Sequence, residues 1–186
     1  MRGSSINIQL ASRYSDFMMP LEGIRVLDLS RILAGPHAAQ SLSDLGADVI
    51  KVEAPWGDDS RTWGPPFQKG FDGAEVASYF LSCNRGKKIV FANLKNERER
   101  VRSLMDTVDV VIENFKPGAF DRLLGPVNAD LIVCSISGYG QEGPRRDEPA
   151  FDLTMQARSG IMSVTGEEGG PPACLLYTSP SPRDDT

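Results

Sequence analysis

The sequence predicts an α/β fold built on a doubly wound parallel sheet, and three observations indicate it. Short runs rich in Val and Ile alternate with segments whose apolar residues are spaced for one face of a helix. The first strand, helix and second strand form a crossover unit, whose strands are expected to be parallel. The 186 residues, 40% of them apolar and 24% charged, are enough for one domain with a sizeable core.

The predicted elements follow in order along the chain. Strands are expected at residues 24–30, 48–53, 87–92, 109–113 and 131–135, the last two as buried strands. A first helix at residues 36–45 has Ala38, Ala39, Leu42 and Leu45 on one face and stops at Gly46. A second, at residues 96–105, is expected to pack through Val101, Leu104 and Met105, with Val108 just beyond. Residues 54–73 are rich in Pro, Gly and Asp, with Trp56 and Trp63 among them, which indicates a long surface excursion of the kind that often lines a site.

Composition excludes several classes of function. The net charge of −5 gives no basic surface for nucleic acid, and no apolar run is long enough to span a membrane. The three cysteines are far apart and lack a CxxC pair, so no metal site and no disulfide framework is expected. The chain also lacks the GxGxxG and GxxxxGK[ST] phosphate-binding patterns.

The first 19 residues form a leader with two interpretations. Their Arg2, Arg13 and four serines against a single acid, Asp16, suit a mitochondrial transit segment, which would place the protein in the matrix. A leader before a true start at Met19 fits equally and leaves a cytoplasmic location open. In both cases the fold is expected to begin near Pro20.

Functional groups are expected at the carboxyl ends of the strands, where a doubly wound sheet binds its ligand. At residues 30–36, small residues let the backbone approach a ligand and Pro36 suits the first turn of the next helix. At residues 113–122, Pro117 is expected to open a short helix whose free N–H groups favour an anion, beside an apolar Phe115. The cations Lys87, Lys88, Lys95, Lys116 and Arg122 would complete a phosphate pocket; the alternative is a solvated basic rim beside a buried Phe.

A third junction runs from Ser135 through a Gly-rich loop to residues 148–156. Asp152 there is either a general base or a helix N-cap, and spacing alone favours the cap.

Six stretches together resemble the successive motifs of the class III (CaiB/BaiF-type) CoA-transferases. They lie at residues 20–30, 33–36, 45–53, 84–88, 113–118 and 137–141, and they keep the order of that family across roughly residues 20–173. Residues 57–67 are most similar to its mitochondrial succinate/hydroxymethylglutarate (glutarate) branch. The resemblance implies the N-terminal part of a Rossmann-like, CoA-binding large domain from an interlocked homodimer.

The resemblance also implies substrates and site residues. An acyl-CoA such as succinyl-CoA would donate coenzyme A to a dicarboxylic acid such as glutarate or hydroxymethylglutarate, with no metal. The CoA contacts carried over by position are Arg31, Ile32, Ala34, Lys95, Asn114, Phe115, Arg122 and Leu123. Candidates for the substrate pocket are Leu33, Trp63, Tyr79, Phe151 and Asp152; Trp63 and Tyr79 fit equally well as ordinary anchors of core or loop. Leu33 stands where an oxalate-specific relative has Gln, which argues against oxalate.

The mechanism implied by the resemblance is a double displacement. An aspartate attacks the acyl thioester to form an anhydride, becomes an aspartyl-CoA thioester, and then passes CoA to the acceptor acid. That aspartate belongs to a segment beyond the Gly-Gly-Pro-Pro turn that the native part of this chain is not expected to reach. Residues 174–186 resemble the translation of a sequencing adapter, so the native sequence is expected to end at Ala173 and the fragment to be inactive.

The sequence also admits two alternatives. The first is a racemase acting on α-methylacyl-CoA, which shares the fold. Resemblance to such a racemase implies a His immediately before the Asp that matches Asp152, whereas this chain has Phe151 at the His position. A non-catalytic CoA-binding module is the other alternative. The fragment would then keep a nucleotide site while leaving a sheet edge uncovered.

Overall fold

The computed structural model describes residues 18–70 and 73–174. They belong to two compact units, Met1–Ile136 and Ser137–Thr186, and each unit is described by itself. The leader at residues 1–19 and the tail at residues 174–186 lie almost wholly outside the described residues. Within the described part of the chain, no helix is long and apolar enough to cross a membrane.

Five parallel strands form the sheet of the first unit. They are β1 (Arg25–Asp28), β2 (Asp48–Glu53), β5 (Lys88–Phe91), β6 (Val110–Glu113) and β7 (Ile132–Ser135), in the spatial order β5-β2-β1-β6-β7. Val26 pairs with Val49 on one side of β1 and with Val110 on the other. The strand order therefore reverses between β1 and β6, which is the topological switch point where sheets of this type bind ligands.

Helices cover both faces of this sheet because its central strands are apolar on both sides. Val26, Val49 and Ile112 face one side, where they pack with Ala39 of α1 (Ala34–Asp44). Leu27, Ile50 and Val111 face the other side, where they cluster with residues of α3 (Arg98–Met105) and α4 (Ala119–Leu124). The predicted parallel sheet flanked by helices is confirmed.

The excursion after β2 carries more structure than the sequence indicated. A 3₁₀ turn at Asp59–Thr62 is followed by a two-stranded antiparallel hairpin of β3 (Phe67–Lys69) and β4 (Glu75–Ala77). Helix α2 (Ser78–Asn84) then packs against α1. The hairpin and α2 were not predicted from the sequence, because each is short and lacks a clear apolar period.

Two local predictions were wrong. The helix after β6 begins at Ala119 and not at Pro117, because Gly118 adopts the left-handed φ of 72° before it. Strand β7 lies at the edge of the sheet and is not buried: Ile132 is 63% exposed. At the junction of residues 30–36, Gly35 also packs closely within the chain, since an added Cβ would lie 2.2 Å from the Cβ of Ser30.

The second unit contains α5 (Asp152–Ser159) and a 3₁₀ turn at Ile161–Val164. Asp152 is the first helical residue, preceded by an N-cap at Phe151 that makes no side-chain capping bond. The carboxylate of Asp152 accepts a 2.6 Å hydrogen bond from Nε2 of the buried Gln156. The expectation that Asp152 is the N-cap was therefore wrong by one residue.

Candidate functional site

A cleft of about 270 Å³ opens at the carboxyl ends of β1, β2, β5 and β6. Its walls are mainly apolar and include Leu29, Val52, Ala92, Phe115 and Leu123. Each wall residue belongs to the end of a strand or to the segment that follows it, apart from Leu123 on α4. The cleft therefore occupies the position at which open α/β sheets take their ligands.

The loops after β1 and β6 are joined at the strand reversal by one side chain. Asn114 accepts a 2.9 Å hydrogen bond from the backbone N–H of Arg31 and donates a 2.8 Å bond to the carbonyl of Arg31. Both polar atoms of the Asn114 amide are thus engaged within the protein. The structure gives Asn114 the role of linking two loops that border the cleft, a role that sequence reasoning did not foresee.

Positive charge reaches the cleft from two residues, Lys95 and Arg31. Lys95 follows β5 and is exposed, so its ammonium is accessible to an anion. Arg31 forms an ion pair with Asp59, and both side chains are about half exposed, at 49% and 51%. A pair this exposed contributes little to stability, about 0 to 1 kcal/mol, so an incoming anion competes for Arg31 at small cost.

Beneath the same loops lies a cluster of buried charges. The ammonium of Lys87 donates to the carboxylate of Asp28 at 2.8 Å, and both side chains are fully buried. Lys51 is also fully buried, and its ammonium lies 3.3 Å from the carboxylate of Asp58 and donates to the carbonyl of Ser30 at 2.8 Å. Two cations and two anions balance in this cluster, and removing one partner of such a pair typically costs about 3 to 5 kcal/mol.

Burial and neighbouring charges shift two pKa values in the cluster. Burial alone would raise the pKa of Asp58, but the hydrogen bonds from Ser60, the Lys51 ammonium and the Ile32 N–H together hold that pKa below its ordinary value. Burial lowers the pKa of Lys87, although the adjacent Asp28 carboxylate opposes this effect. Asp58 is therefore held as a carboxylate in the folded chain.

Asp58 also contacts the loop after β1 directly. The backbone N–H of Ile32 donates to its Oδ2 at 3.2 Å. Ile32 has a φ of 71°, which makes it the one non-glycine residue with a positive φ in the described part of the chain. A β-branched residue in this left-handed region costs about 1 to 3 kcal/mol, so surrounding contacts must stabilise it.

The excursion that carries Asp58 is itself anchored to β2. Glu53 at the end of that strand accepts hydrogen bonds from Nε and Nη2 of Arg61, at 2.7 and 2.8 Å, and from the N–H of Asp58 at 2.9 Å. The guanidinium of Arg61 also lies 3.9 Å from the ring centroid of Phe80 on α2. These contacts fix the segment that forms one rim of the cleft.

The structure brings half of the proposed coenzyme contacts into the cleft lining. Arg31, Lys95, Phe115 and Leu123 line it, whereas Ile32, Ala34, Asn114 and Arg122 do not. Ile32 and Asn114 shape the loop after β1 instead: the Ile32 N–H bonds to Asp58, and the Asn114 amide bonds to the backbone of Arg31. Ala34 and Arg122 are exposed.

The prediction that five cations form a phosphate pocket was wrong for Lys87 and Lys88. Lys87 is buried against Asp28. Lys88 forms a surface ion pair with Asp48, and both lie at the amino ends of their strands, whereas the cleft lies at the carboxyl ends. Lys116 and Arg122 are exposed on the segment after β6. Among those five, Lys95 alone lines the cleft.

The residues suggested for an acyl pocket fall in both units. Trp63 and Tyr79 lie together, with ring centroids 5.6 Å apart and planes tilted by 55°. Leu33 is exposed at the start of α1. Phe151 and Asp152 belong to the second unit, where Phe151 is exposed.

Sequence reasoning missed Lys51, Asp58 and Glu53 as residues that organise the site. A charged residue inside an apolar strand was the available signal for Lys51 and Glu53, since buried charges are rare unless paired. Among the residues that the structure describes, no group of three or more His, Cys, Asp or Glu side chains is arranged to hold a metal ion.

The model of CoA-transferase family III matches residues 21–179. Among curated proteins, the chain is 50% identical over 163 residues to a succinate–glutarate CoA-transferase of Agrobacterium fabrum, covering 82% of this chain and 41% of that protein. It is 47% identical over 166 residues to the succinyl-CoA:glutarate CoA-transferase of Mus musculus, covering 84% of this chain and 37% of that protein. The chain thus spans about two fifths of the length of these relatives.

A solved structure shows the same fold. The crystal structure of a CAIB/BAIF family protein from Brucella suis superposes with a TM-score of 0.80 at 46% sequence identity. The match covers 86% of this chain and 47% of that one.

Proposed function

Because the chain belongs to CoA-transferase family III, we propose that its cleft binds the coenzyme A part of an acyl-CoA. One observation carries this proposal: an apolar cleft at the switch point of the sheet has an accessible ammonium, that of Lys95, at its rim. Coenzyme A has the matching chemistry, since it combines a flat purine with phosphate groups. Phe115 would contact the purine, and Lys95 and Arg31 would pair with phosphate.

The whole protein is proposed to transfer coenzyme A between carboxylic acids. Relatives at 50% and 47% identity are named for transfer between succinate and glutarate, which supports a dicarboxylic acid as acceptor here. The donor would be succinyl-CoA or a similar acyl-CoA. An aspartate would attack the acyl thioester, which releases the CoA thiolate and forms an anhydride; the thiolate would then attack the aspartyl carbonyl, which releases the donor acid and leaves an aspartyl-CoA thioester. The acceptor carboxylate would attack this thioester in the same way, and the thiolate released would then take the acceptor's acyl group and free the aspartate.

No residue of this chain is assigned the role of that nucleophile. Asp184 and Asp185 lie outside the described residues, and their Ser-Pro-Arg-Asp-Asp-Thr context lacks the family pattern. We expect this chain to bind coenzyme A without transferring it. Homodimerisation and a mitochondrial matrix location, with the cytoplasm as the alternative, complete the proposal for the whole protein.

The proposal is tested by titrating the full chain with coenzyme A and, separately, with adenosine 3′,5′-bisphosphate. Saturable binding of both ligands, and competition between them, is the expected result, because the purine and phosphates supply most of the contacts. Binding of neither ligand by a cooperatively folded chain would overturn the proposal.

A further inference from the structure

We propose that Asp58 is a positioning residue for the coenzyme site and that it acts by holding Ile32 in its left-handed conformation. Ile32 has a φ of 71°, and its N–H donates to the carboxylate of Asp58 at 3.2 Å. The inference rests on the proposed function, since the loop that Ile32 shapes carries Arg31 into the cleft.

The two carboxylate oxygens of Asp58 contact different partners. Oδ1 accepts hydrogen bonds from the N–H and the hydroxyl of Ser60, at 3.0 and 2.7 Å, which fixes the carboxylate on its own segment. Oδ2 faces Ile32 and lies 3.3 Å from the ammonium of Lys51. The carboxylate therefore connects the excursion after β2 to the loop after β1.

Lys51 holds the same loop at a second point. Its fully buried ammonium donates to the carbonyl of Ser30, two residues before Ile32, at 2.8 Å. The backbone of the loop is thus held at Ser30 by Lys51 and at Ile32 by Asp58. Between these two points lies Arg31, whose own backbone is fixed by Asn114.

A left-handed β-branched residue returns to ordinary backbone angles when its stabilising contact is removed. The side chain of Arg31 would then leave the cleft rim. Glycine adopts the left-handed region without a steric penalty, so a glycine at position 32 should keep the loop in place without Asp58. This difference separates a positioning role from a general role in stability.

The test is a cycle of variants of the full chain, with coenzyme A binding measured by calorimetry and thermal unfolding measured in parallel. Asp58→Ala is expected to weaken binding by about tenfold, the effect of losing one hydrogen bond to a charged group. Ile32→Gly in the Asp58→Ala background is expected to restore most of that loss without restoring the melting temperature, because the buried Lys51 still lacks its nearer carboxylate and keeps only Asp28, at 3.9 Å. Asp58→Asn, which keeps an acceptor for the Ile32 N–H, is expected to bind within about threefold of wild type. The exposed Asp130→Ala serves as the matched control.

The outcomes separate this inference from the proposed function. If wild type does not bind coenzyme A, the proposed function fails; if wild type and Asp58→Ala bind equally, the positioning role alone is overturned. It is also overturned if Ile32→Gly restores nothing, or if Asp58→Asn loses as much affinity as Asp58→Ala. Should Asp58→Ala not fold, Ser60→Ala replaces it in the cycle, because it removes the hydroxyl that fixes the Asp58 carboxylate and leaves Lys51 paired. A loss of affinity that Ile32→Gly restores supports the positioning role, and an unchanged affinity, or a loss that Ile32→Gly does not restore, overturns it.

Discussion

The side-chain amide of Asn114 forms hydrogen bonds with both backbone groups of Arg31, at 2.9 and 2.8 Å. The two residues are 83 positions apart and follow strands β1 and β6, where the strand order reverses. A single side chain thus links the loops after β1 and β6 at the switch point of the sheet, through one accepted and one donated hydrogen bond. The cleft depends on this link because Arg31 and Phe115, which line it, follow the two adjacent strands β1 and β6.

Asn114→Ala should destabilise the chain by about 1 to 3 kcal/mol, since it removes two hydrogen bonds and leaves backbone groups of Arg31 without these partners. It should also weaken coenzyme A binding. Chemical denaturation and calorimetry measure the two effects. Asn128→Ala, at an exposed turn where the side chain accepts one 3.3 Å bond, is the control and should change neither quantity appreciably. Equal behaviour of the two variants would contradict the role given to Asn114.

Lys95→Ala should weaken coenzyme A binding by about five- to tenfold at low salt, because it removes the accessible ammonium at the cleft rim. The loss should shrink as ionic strength rises. Lys88→Ala is the matched control, since Lys88 pairs with Asp48 and does not line the cleft. The same loss in both variants would show that net charge, and not the position of Lys95, governs binding.

Phe115→Ala should reduce affinity for adenosine 3′,5′-bisphosphate about as much as for coenzyme A, because the ring is proposed to contact the part that both ligands share. It should also cost about 1 to 3 kcal/mol of stability, since Phe115 packs at the margin of the core. Phe91→Ala removes a half-exposed ring that is not in the cleft lining and is the control. An unchanged affinity in Phe115→Ala would remove this residue from the proposed contacts.

Stability should fall in acid through Asp58. Its pKa in the folded chain lies below the ordinary value of 3.8, so the unfolded chain binds the proton first as pH falls. The stabilisation by the carboxylate is therefore fully present above pH 3.8 and is lost as pH falls through the folded-state pKa. The slope for this one proton is at most about 1.4 kcal/mol per pH unit. Denaturant unfolding between pH 2 and 6 should show wild type and Asp58→Asn converging toward the acid end; parallel curves would contradict the assignment.

The fold could be predicted from sequence where its residues repeat with a clear period. Strand β2 was predicted at its observed bounds because Val49, Ile50 and Val52 form a compact apolar run. The hairpin of β3 and β4 was missed because its strands are three residues long and mostly exposed. The edge position of β7 depends on neighbouring strands, which a local pattern does not reveal.

The candidate site was predictable in its location but not in its internal contacts. Strand ends bordered by small residues and by Phe115 indicated the edge of the sheet at which the cleft lies. Lys87 was expected to face a ligand, and it pairs instead with the buried Asp28. A lysine beside a strand has the same local sequence whether it points into the cleft or into the protein, so only the packed structure distinguishes the two.

The central claim is that the cleft at the switch point binds coenzyme A, and one calorimetric titration tests it most directly. Wild type, Lys95→Ala and Phe115→Ala are titrated with coenzyme A under the same conditions, with folding verified for each. We expect saturable one-to-one binding by wild type and weaker binding by both variants. Wild-type binding that neither substitution affects, or no binding by the folded wild-type chain, would contradict it.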